Sequence, residues 1–107
     1  MQIGVTRNES HDLQTATDEL INAFAQGNPD IGRPSRYERV LVDGHRSLRT
    51  TISNRNEVTR DPETIQLVTT DLGNGEVLYT IGVAPSAEFA SYRGVFNRIL
   101  GSMRLAN

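Results

Sequence analysis

Two histidines, no cysteine and a scatter of serines and carboxylates are what this chain offers for chemistry. His11 precedes Asp12 at the start of a helical pattern, and His45 follows a turn. Neither has a second histidine at metal-ligand spacing, and no H-E-x-x-H occurs. Without cysteine, thiolate catalysis, disulfides and cysteine-based zinc sites are excluded together. No serine sits in a G-x-S-x-G elbow. Gly73-Asn74-Gly75 has the look of a phosphate loop, but it joins two strands instead of opening a helix, so it reads as a turn. Paired acids such as Asp61 with Glu63, or Asp18 with Glu19, are unremarkable among 13 carboxylates. The sequence therefore assigns no catalytic residue, no cofactor and no metal, and the chain reads as non-enzymatic.

Charge arrangement says more. All 11 basic residues are arginine, and the net charge is only −2. Yet residues 8–30 hold five acids and no base, whereas residues 33–60 hold seven arginines against Glu38, Asp43 and Glu57. This local excess could attract an acidic partner. Arg46 lies just beyond the Asp43-Gly44 turn, and Arg55 and Arg60 sit in a polar stretch. Arginine's planar fork suits carboxylates, so these three are the candidate partner-binding residues, for an acidic protein segment docking at the end of the first hairpin. Nucleic acid is excluded as a partner, because the pI is about 5.6 and arginines are not interleaved with aromatics.

The elements that must hold these residues follow from periodicity. Gln2 to Thr6 alternates as a short strand. Ser10 is the expected cap of a helix whose face carries Leu13, Ala16, Thr17, Leu20 and Phe24. Gly27-Asn28-Pro29 is expected to end it, with Gly27 left-handed. Tyr37 to Val42 and His45 to Ser53 flank Asp43-Gly44, the signal for a type I′ hairpin. That turn sets Glu38 opposite Arg49 and puts Leu41 on the face of Leu48, Thr50 and Ile52. Residues 54–63 read as a loop. Thr64 to Leu72 and Glu76 to Ala84 form a second hairpin around Asn74-Gly75, with Val77, Tyr79, Ile81 and Val83 opposed to Leu72, Thr70, Val68 and Gln66. Finally Ser86 caps a helix whose stripe is Phe89, Tyr92, Phe96, Ile99, Leu100 and Met103. This terminal helix is expected to be the element on which the core is organised.

Apolar residues on both faces of the second hairpin require cover on both. The resulting expectation is one α+β domain over residues 1–107: an antiparallel sheet of two hairpins plus an N-terminal strand, sandwiched by an N-terminal and a C-terminal helix. The longest apolar run, Val40-Leu41-Val42, is far too short to span a membrane. No charged-then-apolar leader follows Met1. A monomer is expected.

Several pieces are familiar together: Asp12-Leu13…Ala16…Glu19-Leu20…Asn28-Pro29, Val42-Asp43-Gly44-His45-Arg46, Val83-Ala84-Pro85, and Phe96-x-x-Ile99-Leu100-x-Ser102-x-Arg104-Leu105. They resemble PsbP/DcrB-like domains, and in particular the small C-terminal domain of some bacterial zinc metallopeptidases of the H-E-x-x-H type. The resemblance implies a non-catalytic accessory module excised from a longer parent. It would work outside the cytoplasm and bind a protein partner or the parent's peptidase domain. No zinc ligand or catalytic glutamate of the peptidase maps onto this chain. A stand-alone small-ligand or lipid-binding domain of an exported protein is the alternative.

One expected outcome follows from the residue inventory: the purified chain retains no zinc after dialysis and cleaves no peptide. Stoichiometric zinc by elemental analysis, or cleavage lost on mutating His11 or His45, would overturn it.

Overall fold

Strict alternation and two tight turns decide the sheet. In a computed structural model, which describes residues 1–8 and 12–105, five strands and two helices follow one another. They are β1 (Gln2–Arg7), α1 (Leu13–Gly27), β2 (Glu38–Val42), β3 (His45–Arg55), β4 (Pro62–Asp71), β5 (Glu76–Pro85) and α2 (Phe89–Ser102), the last preceded by a 3-10 turn at Ser86–Glu88. All neighbouring strands are antiparallel, in the order β1-β5-β4-β3-β2. The two helices lie on opposite faces, giving the expected α+β sandwich.

The first hairpin has the expected register. Asp43 and Gly44 take φ of 49° and 79°, the paired positive angles of a type I′ turn. Glu38 faces Arg49, and their side chains meet at 3.1 Å. The second hairpin differs from expectation by one residue. Ile81 pairs with Leu67 and Val77 with Asp71, so Val77 and Tyr79 share a face with Leu67 and Thr69 rather than with Val68 and Thr70. The cause is a three-residue connection instead of a two-residue one. Gly73 and Gly75 both have positive φ, Asp71 accepts from the Gly73 N–H at 2.8 Å, and Asn74 Oδ1 accepts from the Glu76 N–H at 3.2 Å. A slip of one residue moves every side chain to the other face, and here it segregates the two cores.

Strands β3 and β4 also run further than expected, to Arg55 and from Pro62, leaving a connection of only residues 56–61. Pro62 stands first in its strand, where its missing N–H costs least.

Ser10, the expected cap of α1, lies outside the described residues. Asp12 caps instead, accepting from the Thr15 N–H and, at 2.6 Å, from its hydroxyl. At the other end Gly27 is not left-handed. Asn28 closes the helix, its side-chain amide donating to the Phe24 carbonyl at 2.9 Å. Helix α1 buries Ala16, Thr17 and Ile21 on the sheet, where Ile21 meets Ile52 and Leu67 with Phe24, Tyr37, Ile65 and Tyr79 around them.

Helix α2 covers the other face more thinly than its sequence stripe implies. Only Phe96 and Leu100 are buried, while Tyr92 and Ile99 stay exposed. Ser86 does not cap, because its hydroxyl bonds Thr64 Oγ1 at 2.9 Å. The Phe96 ring lies over Gly82, within 2.6 Å of where a Cβ there would sit, and touches Phe89 and Tyr92 at tilted angles. Leu100 packs with Val42 and Val68.

The organising element is therefore β4 and not α2. Gln66 through Thr70 are all buried, with Leu67 and Thr69 toward α1 and Val68 toward α2.

The contact of Phe96 with Gly82 yields a test. Phe96→Ala is expected to cost about 3–5 kcal/mol. Gly82→Ala forces the ring away and is expected to cost about 1–3 kcal/mol. In the double variant the second cost should largely vanish, because the obstructing ring is gone. Additive losses in denaturant midpoints would show that the two residues do not share this contact.

Candidate functional site

The three arginines singled out by sequence are not brought together. Arg46 stands near the turn end of β3, 80% exposed and 3.3 Å from Asp71. Arg55 and Arg60 are at the opposite end of this 11-residue strand, about 30 Å away at strand rise. Both are used in holding loops. Arg60 pairs with Asp30 at 2.7 Å, and Arg55 donates to the Arg60 carbonyl at 3.2 Å. That pairing holds the Asp30 carboxyl below its ordinary value and pushes the Arg60 guanidinium up. The far end of β3 is thus a clip joining residues 56–61 to the segment after α1. His45 is half-buried, its Nδ1 3.0 Å from the Asp71 carbonyl oxygen. His11 lies outside the described residues.

The chain does form a concave site around Arg46, with a different companion. An open groove of about 540 Å³ lies between the start of α1 and the β2–β3 hairpin. Its walls include Leu13 from α1, Arg39 and Leu41 from β2, and Arg46 and Leu48 from β3. The local reason is register. The type I′ turn places Arg39 opposite Leu48 and Leu41 opposite Arg46, so all four point to the face that carries α1. Helix α1 begins only at Leu13 and seats its buried residues over β3 and β4. Among the described residues nothing covers this face of the outer hairpin, and Leu41 is 70% exposed.

Two guanidinium groups thus flank an apolar floor. Among the described residues Arg39 has no carboxylate partner, and Arg46 is held only by its contact with Asp71. The acid in the groove wall, Asp12, is engaged in capping α1. Its hydrogen bond from the Thr15 hydroxyl, reinforced by backbone N–H groups, holds its carboxyl below the ordinary value. The helix start itself is a positive dipole end. The groove suits a ligand with a carboxylate and a neighbouring apolar group.

Sequence reasoning placed Leu41 on the correct face but missed the groove. Alternation shows which residues share a face, and it does not show how far a helix reaches across that face. Among the described residues no cluster of three or more His, Asp or Glu could hold a metal ion, and no helix is long and apolar enough to cross a membrane.

No known family model matches the sequence, and no curated protein does. The structure is similar to the crystal structure of PA94 from Pseudomonas aeruginosa, a protein of unknown function proposed as a regulator. The two share a TM-score of 0.74 and 9% sequence identity over 98% of this chain and 72% of that one. At that identity the likeness is one of fold.

The cap gives a pH-dependent expectation. A carboxyl whose folded pKa is lowered contributes stability above its unfolded value, here 3.8, and loses it as pH falls through the folded value. Amide exchange at Thr15 should therefore accelerate as pH drops below about 4, after correction for intrinsic rates. Asp12→Asn keeps a capping oxygen and should remove this acid dependence. An unchanged profile in that variant would assign the effect elsewhere.

Proposed function

We propose that this chain is a non-catalytic binding domain. Its groove between the α1 start and the β2–β3 hairpin takes an acidic, partly apolar segment of a partner polypeptide. The observation that carries the reading is Arg39, without a carboxylate partner among the described residues, beside the exposed Leu41 in one groove. An exposed leucine of this kind is ordinary alone; set between two arginines in a concave wall, it is a recognition surface. The likeness to PsbP/DcrB-like accessory domains of metallopeptidases agrees with such a role. In that setting the partner is a substrate or the parent's own peptidase domain, outside the cytoplasm.

A second reading has one observation in its favour. The groove volume lies within the ~300–1,000 Å³ of small-molecule sites, so an anionic amphiphile such as a fatty acid would fit the same chemistry.

The test is a titration of the ¹⁵N-labelled domain with short peptides carrying glutamate and valine, and separately with dodecanoate. Peptide binding should shift Leu13, Arg39, Leu41 and Leu48, and should weaken with salt. Arg39→Glu should weaken it at least tenfold, while stability changes by less than about 0.5 kcal/mol. Shifts with dodecanoate alone would select the small-ligand reading. Shifts confined to Arg55 and Arg60 would move the site to the other end of β3.

A further inference from the structure

We infer that the partner segment binds as an added strand on the outer edge of β2. This inference rests on the groove reading above and specifies its geometry. Strand β2 ends the sheet. In a two-residue type I′ hairpin the residues flanking the turn, Val42 and His45, exchange both backbone hydrogen bonds, and bonded pairs then alternate along the ladder. Val42, Val40 and Glu38 therefore direct their backbone groups to β3. Arg39 and Leu41 direct theirs outward.

The same two residues supply the groove's charge and its most exposed apolar side chain. An extended segment lying along this edge would thus bond the backbone of Arg39 and Leu41. Its residues opposite those two would point to the α1 face, into the groove, because paired residues share a face. That coincidence dictates the partner's pattern. An acidic residue stands opposite Arg39, an apolar one two positions away stands opposite Leu41, and the residue between them faces away.

Edge strands are normally guarded by charge, proline, bulges or covering elements. Upstream, this edge of the sheet is occupied by the chain's own backbone: Gly32 donates to the Ser53 carbonyl and Ser35 to the Thr51 carbonyl, each at 2.8 Å. Beyond Glu38 β2 is, among the described residues, the outermost strand, and Leu41 stands exposed on it. Strand addition of this kind derives affinity from main-chain bonds and selectivity from alternate side chains.

The probe is an acetylated, amidated heptapeptide of threonines carrying valine and glutamate two positions apart, made in both orders. A second version carries N-methyl groups on the amides that would face β2. With the first, the Arg39 and Leu41 amides should become at least tenfold slower in hydrogen exchange and should show cross-chain NOEs to the peptide. The N-methylated version should bind at least tenfold more weakly with its side chains unchanged. Equal binding by the two versions, with shifts still in the groove, would overturn strand addition while leaving the groove reading intact. Protection of Gln2–Arg7 instead would assign the event to the other edge and overturn it. No shift with any peptide would sink both readings.

Discussion

The fold depends on the central run of β4, Gln66 to Thr70, being buried on both faces of the sheet. Backbone groups of a central strand are satisfied by its neighbours, but its buried polar side chains must find partners on a covering helix or an adjacent strand. Thr69 does so through the Thr17 hydroxyl at 2.7 Å, and Thr17 in turn donates to the Leu13 carbonyl at 2.8 Å. Thr70 meets the Ser47 hydroxyl at 2.9 Å. The interior is thus built as much from matched hydroxyls as from Leu67 and Val68. Gln66 is the exception, since both ends of its buried amide lack a partner among the described residues. An orphaned amide costs about 1–3 kcal/mol, and it lies on the face that α2 covers most thinly.

Cover is generous at the centre of the sheet and meagre at its edges. Two helices of 15 and 14 residues cannot roof five strands. Helix α1 takes β3 and β4, and α2 takes β4 and β5 with its end over Val42. What remains outside is β1, with Ile3 and Val5 exposed, and the α1-side face of β2. The groove is therefore not an excavation in the core. It is the part of the sheet that the helices leave unroofed.

Much of this was legible in residues. Asp43-Gly44 fixed one hairpin and its register, and the count of elements and their layers followed from alternation and helical spacing. The second hairpin was misjudged because Asn-Gly signals a two-residue turn, whereas Asp71 and Asn74 side chains stabilise a wider one with Gly73 also at positive φ. The stripe of α2 overstated its burial because Tyr92 and Ile99 satisfy helical spacing without reaching the sheet. Arg46 stands apart from Arg55 and Arg60 for a simpler reason: proximity in sequence along an extended strand is distance in space. Arg39, which lines the groove, gave no signal of its own beyond its place in the hairpin.

The order of the strands also has a consequence for how the chain is made. Of the four ladders between the described strands, three join sequence neighbours, and the exception sets Gln2 against Ile81. The β2–β5 meander can assemble as each turn forms, with short loop closures. Strand β1 is synthesised first and finds its partner last, after β5 has left the ribosome. During that interval Ile3 and Val5 belong to a nascent, unpaired strand, the condition in which folding chains associate wrongly. Biosynthesis thus leaves the N-terminal strand as the segment most dependent on protection before the domain closes.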